Sequence, residues 1–335
     1  MKKYFIISVL IFLYACQPKT VENDGGLRVD LTILNKNASE EEINRAIDIL
    51  KERIRIIDSK DAVISLSADK KEIQIQLPLV VDSMFPRNYI FQKGTFQISE
   101  VFDNEEMYQR LVDLNALLAR QKNPFNIPSD SLKQNVSVDQ YPLFQILSLS
   151  PQRNPEVGYA LAKDTALVDS IVANEKYAYL FPGKFTCMWS KSPVGNLYKL
   201  YLVKQSNAYN TITSDMILDI KKSKNDESDY VIQLKLKPEY YKILEYMTGY
   251  QKSIAVIMDN KVFSAPRGTT KITNGDASLS VLSKREADYW DALFKYGAIS
   301  LPFEIKKITL VDFSKPLNQV NEPVSDTSML FAHPK

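Results

Sequence analysis

Cysteine and histidine, the side chains that most readily act as nucleophile or base near neutral pH, are scarce in this chain of 335 residues. There are two cysteines, Cys16 and Cys187, and one histidine, His333, close to the end. A lone histidine in a terminal segment offers neither a Ser-His-Asp set nor a His-based metal site. Two distant cysteines make no CxxC pair and no disulfide framework. Cys16 stands in the more unusual context, directly after Leu13-Tyr14-Ala15 and a basic and apolar leader. Cys187, in Lys184-Phe185-Thr186-Cys187-Met188-Trp189-Ser190, reads as a buried strand cysteine rather than as a nucleophile. The run Glu40-Glu41-Glu42 suits the first turn of a helix, where carboxylates meet the positive end of the dipole. No GxSxG, HExxH, P-loop or GxGxxG pattern occurs. The expectation is therefore no enzyme: no catalytic residue, no cofactor and no metal site.

The first residues read as an address. Met1-Lys2-Lys3 is basic, Tyr4 to Leu13 is apolar, and Cys16 follows where a cleavage site belongs. The apolar run is far shorter than the ~20 residues a spanning helix needs. The pattern resembles a bacterial lipoprotein signal, which implies cleavage before Cys16, diacylation of its thiol, and a chain held to a lipid bilayer. Tyr14 departs from the usual small or hydroxyl residue, and Gln17 in place of aspartate favours the outer membrane over the outer face of the inner one. With the leader removed, 42 basic residues less Lys2 and Lys3 leave 40, against 40 acidic. That balance lacks the basic footprint of a nucleic-acid binder.

The rest of the chain supplies alternating strands and amphipathic helices. Residues 17–26 are a polar tether, and Leu27 to Leu34 alternates as a strand. Ser39 and Glu42 form a capping box that opens a helix with Ile43, Ala46, Ile47, Leu50, Ile54 and Ile57 on one face. Strands follow at 62–66, 72–77 and 95–102, with a short helix near 82–93. The order is β-α-β-β-(α)-β, a ferredoxin-like one. A strand at 230–236, a helix opened by Pro238 and closed by Gly249, strands from Ser253, an Asn274-Gly275 hairpin, a helix capped by Ser283 and Glu286, and a strand at 303–310 repeat that order. Between them lie helices at 107–118 and up to Val172, loops over 123–155 with an apolar element at 141–149, and strands at 177–189 and 197–203. The predicted fold class is α+β: two ferredoxin-like βαββαβ-type units with an irregular α/β insertion between them. The segments are 1–15 leader, 16–26 tether, 27–102 first unit, 103–228 insertion, 229–312 second unit and 313–335 flexible tail.

One stretch is spelled distinctively. Lys252-Ser253-Ile254-Ala255-Val256-Ile257-Met258-Asp259-Asn260-Lys261-Val262-Phe263-Ser264-Ala265-Pro266 reads as an apolar strand buried on both faces, a tight Asp-Asn turn and a second strand. It resembles a segment of the first large periplasmic domain of SecD, an accessory subunit of bacterial protein export. Further resemblances occur in the same order. They are Gly25-Gly26-Leu27-Arg28-Val29, the AIDILKERI helix at 46–54 (Ala-x-x-x-Leu-x-x-Arg-Ile), KEIQIQLP at 71–78, GTFQISEVF at 94–102, LYLVKQSNAYNTITSDMILD from Leu200, YVIQLKLKPEYYKILEYMT at 230–248, and GAISLPF at 297–303. Together they cover roughly residues 25–310, weakly between 103 and 175. Leu79 stands where the family commonly has glycine, and GAISLPF where it reads Gly-Ala-Leu-Pro-x-x-Leu.

The resemblance implies a base-like first unit, a head-like insertion and second unit, and a role in handling polypeptide. Family members continue into transmembrane helices that couple proton flow to export. Here no apolar segment follows, so we expect a stand-alone lipoprotein form without that motor. The function it implies is a membrane-anchored, periplasm-facing module that binds polypeptide or envelope partners, unfolded export substrates or Sec translocon subunits among them. The alternative is an envelope scaffold with no export role. The 18 tyrosines suit a peptide-gripping surface, although most are expected at half-buried strand positions.

Overall fold

The structure is a computed structural model that describes residues 18–312, apart from 58, 60, 123–141, 152, 225–229, 250–251, 269 and 282. The expected leader, Cys16, His333 and the tail from 313 lie outside the described residues. A helical turn at Val21–Asp24 precedes β1 (Gly26–Ile33), α1 (Glu40–Ile54), β2 (Val63–Leu66), β3 (Glu72–Pro78), β4 (Phe96–Phe102) and α2 (Asn104–Lys122). The middle holds β5 (Ser148–Leu149), β6 (Gly158–Leu161), α3 (Thr165–Val172), β7 (Phe185–Ser190), β8 (Leu197–Lys204), β9 (Thr211–Thr213) and β10 (Ile217–Lys224). Then come β11 (Tyr230–Leu236), α4 (Tyr241–Thr248), β12 (Ile254–Met258), β13 (Lys261–Ser264), β14 (Asp276–Val281), α5 (Lys284–Tyr296) and β15 (Phe303–Val311). The mixed α+β class is as expected. The chain divides into two compact units, residues 18–94 with 281–312, and residues 95–280.

In the first unit, one antiparallel sheet runs β15-β1-β3-β2. Alternation sends Leu27, Val29, Leu31, Ile73, Ile75 and Leu77 to one face, where they meet Ile43, Ala46, Leu50 and Ile54 of α1. Ser39 caps α1 as expected: its hydroxyl accepts from the Glu42 N–H at 3.2 Å while the Glu42 carboxylate accepts from the Ser39 N–H at 2.8 Å. The predicted helix face is corrected at its edges. Ile49 and Arg53 are buried, whereas Ile47 and Ile57 are only partly so. The largest correction is the strand at 95–102. It does not complete this sheet; that place is taken by β15, which pairs with β1 from Gly26–Val311 to Ile33–Phe303.

The second unit contains an eight-stranded sheet in the order β5-β6-β8-β7-β13-β12-β4-β9, with β4 also bonded to β8. The strands β8, β7, β13, β12 and β4 therefore close into a ring. Val101, Met188, Tyr201, Val203, Ala255, Ile257 and Val262 form one core with it. A second core gathers Met107, Leu111 and Leu114 of α2, Val168 and Val172 of α3, and Leu200 and Leu202. The 252–266 hairpin forms as read: all of β12 is buried, and Asp259 and Asn260 turn at φ 49° and 60°. Its place is corrected, because no second βαββαβ unit exists over 229–312. There β11 joins β10 and β14 in a three-stranded sheet, β12 and β13 join the ring, and α5 and β15 complete the first unit. Asn274-Gly275 makes no hairpin between β13 and β14, since β14 pairs elsewhere. The strand expected at 177–189 begins only at Phe185, because Glu175–Leu180 is a 3₁₀ turn and Pro182-Gly183 intervenes.

One side chain joins the parts of the first unit. Arg53 is fully buried and donates from Nη2 to the carbonyls of Lys93 at 3.2 Å and Gly297 at 3.1 Å, and from Nη1 to that of Gln92. Its guanidinium lies 5.7 Å from the Tyr289 ring. Gly94, at φ +80°, leaves the room: a Cβ there would stand 2.5 Å from Arg53 Nη2 and 2.6 Å from Leu293 Cδ1. A lysine has no planar fork to serve several carbonyls at once. Arg53→Lys is therefore expected to cost about 2 kcal/mol and Arg53→Met about 3 kcal/mol, because carbonyls are left buried and unpaired. Gly94→Ala should lower stability as well. Urea unfolding of the three variants measures this, and an unchanged midpoint for Arg53→Lys would contradict the clamp.

Candidate functional site

The residues singled out for chemistry are dispersed. Cys16 and His333 are outside the described residues, and Glu40, Glu41 and Glu42 form the first turn of α1. Cys187 sits in β7 and is not in a disulfide. Burial, with the charge and hydrogen bond of Asp169 added, pushes its thiol well above the usual range. It is therefore protonated at neutral pH and a poor nucleophile. Asp169 is itself raised by burial, while it accepts a hydrogen bond from Trp189 Nε1 at 2.9 Å. Among the described residues, no three His, Cys, Asp or Glu side chains group as metal ligands. No described helix is long and apolar enough to cross a membrane.

In the second unit a buried carboxylate, Glu100 of β4, is shared by two lysines. Its backbone N–H donates to the Asn210 carbonyl at 3.1 Å, and its carboxylate is nearly excluded from solvent. That carboxylate accepts from Lys252 Nζ at 2.8 Å and from Lys204 Nζ at 3.5 Å. Lys252 Nζ lies 3.3 Å from the centroid of the Tyr246 ring, and Lys204 Nζ lies 4.8 Å from that of Phe102. Tyr246 of α4 and Tyr209, in the turn before Asn210, are well exposed. Two ammonium groups thus share one carboxylate, and one of them lies against the exposed Tyr246 ring.

Sequence reading missed this cluster. Its members come from β4, the end of β8, the residue before Ser253 and the last turn of α4, and no local spacing connects them. The tyrosines divide as expected only in part. Tyr177, Tyr201 and Tyr289 are buried, but Tyr179 and Tyr209 are 72% and 71% exposed. Elsewhere in this unit, an open groove of about 480 Å³ runs along β10, β11 and β14, lined by Asp219, Lys221, Gln233, Lys235, Asp276 and Ser278. Lys235 and Asp276 are paired across it at 2.8 Å.

Titration offers a direct probe of the cluster. Burial works against the Lys252 charge, but the hydrogen bonds to Glu100 and Tyr246 outweigh it and raise the pKa above the ordinary 10.5. A raised amine pKa adds stability that is complete below about 10.5 and is lost as pH climbs through the folded value. Between pH 9 and 11.5 the wild-type protein should thus lose more stability than Lys252→Met; parallel curves would contradict the pairing. Glu100→Gln leaves two ammonium groups without their carboxylate and should cost about 2 kcal/mol at neutral pH, read from denaturant midpoints.

Comparison with known proteins finds no matching family model. The chain is 23% identical over 295 residues to the protein translocase subunit SecD of Rhodothermus marinus; the match covers 81% of this chain and 46% of that subunit. The chain thus spans about half the length of the curated relative. Among solved structures it is similar to SecDF in a super-membrane-facing form, at 16% identity over 92% of this chain and 35% of that one, with a TM-score of 0.43. It is also similar to a SecDF membrane component that enhances protein export, at 15% identity over 84% of this chain and 99% of that one, with a TM-score of 0.41.

Proposed function

We propose that this chain, a relative of the SecD protein-export subunit, works in protein export as a periplasm-facing module tethered to a membrane through acylated Cys16. In this reading the second unit holds unfolded export substrate or a Sec translocon subunit, and no catalysis is involved. The first unit is a ferredoxin-like base whose last helix and strand arrive after the second unit. The observation that carries the proposal is the extended sequence match to SecD. It is supported by the places of the family-like motifs. The arginine of AIDILKERI, the glycine of GTFQISEVF and the glycine of GAISLPF all meet at the Arg53 clamp. The charged and aromatic surface at Glu100, Lys204, Lys252, Tyr209 and Tyr246 supplies a place to grip a polypeptide without a covalent step.

Two measurements test the reading. A photo-crosslinking amino acid at Tyr209 or Tyr246, introduced during active secretion, is expected to trap unfolded export substrates or Sec subunits. Recovery of a single folded envelope protein, with no substrate, would instead favour the scaffold role. Cys16→Ala is expected to leave the leader uncleaved or the mature chain unanchored, and mass spectrometry of the wild-type N-terminus should find the acyl mass. Unchanged processing and membrane association in the variant would refute the anchor.

A further inference from the structure

Strand register gathers several chain segments at one end of the sheet in the first unit. Gly26 pairs with both Pro78 and Val311, so the start of β1, the end of β3 and the end of β15 lie together. The chain that leaves β3 there exposes large apolar side chains in quick succession: Leu79 at 51%, Val81 at 74% and Met84 at 62%. Leu310, opposite Leu27 at the same end, is also exposed at 51%. Their neighbours Val80 and Phe85 pack on the core and fix the loop beneath them. The acidic residue in the loop, Asp82, is countered by Arg285 at 3.3 Å. Leu79 is held at φ +63°, a conformation that disfavours leucine. An exposed leucine in a strained backbone works against stability, which points to a use for the side chain.

The same end receives the N-terminal tether. Val21 is fully buried, Thr20 caps the turn at Val21–Asp24, and the Gly25 carbonyl accepts from the Leu79 N–H at 2.9 Å. Three residues separate Cys16 from Thr20, so the four Cα steps between them reach at most about 14 Å when fully extended. Resting on the acylation of Cys16 proposed above, we infer that Leu79, Val81, Met84 and Leu310 form a second, non-covalent contact with the bilayer. The acyl chains set the distance, and the apolar loop then enters the headgroup layer, where shallow apolar insertion reaches about 5–10 Å. A single lipid attachment leaves the first unit free to turn about the tether; this contact would hold one end of the sheet against the surface.

The test uses the full acylated chain in a Cys187→Ser background, reconstituted in vesicles of phosphatidylethanolamine and phosphatidylglycerol. An environment-sensitive fluorophore is placed by Val81→Cys, with Asp48→Cys on the outer face of α1 as the comparison site. Both positions are well exposed, so the labels should leave the fold intact. The expected result is a blue shift at 81 on reconstitution and quenching by brominated lipids several-fold stronger than at 48. Equal and weak quenching at the two sites, in protein whose acyl mass is confirmed, would overturn the inference alone. So would a blue shift at 81 without bromolipid quenching, which would mean that protein covers the loop. Absence of the acyl mass on Cys16 would overturn the anchor reading, and the inference with it.

Discussion

The first unit depends on a buried guanidinium. Its charge, carried by Arg53, meets the peptide carbonyls of Gln92, Lys93 and Gly297 and lies against the ring of Tyr289. A buried cation is costly unless most of its donors are used, so the arrangement is stable only while those carbonyls stay in place. It therefore fixes three pieces of chain at once: the last turn of α1, the irregular turn at 91–94, and the residue that ends α5. Gly94 has no side chain because the guanidinium and Leu293 already fill that space. Beside it, Tyr89 donates to Glu286 at 2.8 Å and stacks edge-on with Tyr289 at 5.0 Å. Burial, with the Glu286 charge, pushes the Tyr89 hydroxyl far above its ordinary range, which keeps it a donor.

Local elements were legible because local rules governed them. The Ser39 capping box, the Asp259-Asn260 turn and the inward sets of β1 and β3 are all set by residues within a few positions of one another. Their partners were not legible. Alternation shows that Phe96–Phe102 is a strand but not whether it pairs with β3 or β12, and the decision rests on contacts such as Thr95 to the Asp259 carboxylate at 2.8 Å. The apparent repeat at 229–312 failed for the same reason. Each of its elements exists, but their edges are shared among three sheets. Ser283 caps α5 as its spacing from Glu286 suggests, while the hydrogen bond that Glu286 accepts from Tyr89, 197 positions away, had no local signal.

The functional surface was less legible still. Glu100 lay inside a recognised strand motif, yet nothing in that motif marks it as a buried carboxylate between two lysines. Lys204 and Lys252 read as ordinary solvated charges, the usual fate of such residues. Leu79 was the exception. Its departure from glycine was visible in the chain, and its φ of +63° supplies the reason glycine suits that place.

The order of elements also constrains how the first unit forms. Residues 18–94 supply α1 and the strands β1, β2 and β3, but β1 is an inner strand and its second edge waits for β15. Until residues 281–312 arrive, that edge exposes unpaired backbone and Arg53 lacks the Gly297 carbonyl. Placing a whole unit in the connection, where a loop of a few residues would suffice, lengthens it by about five doublings. At about 0.6 kcal/mol each, this costs roughly 3 kcal/mol of closure entropy before any contact is made. A pre-folded second unit would reduce that cost by removing freedom from the connection. The eight paired positions of β15 on β1, the burial of Trp290 and Leu293, and the Arg53–Gly297 hydrogen bond are what offset the remainder. The clamp thus sits where the interrupted unit most needs it, holding a carbonyl from each side of the interruption.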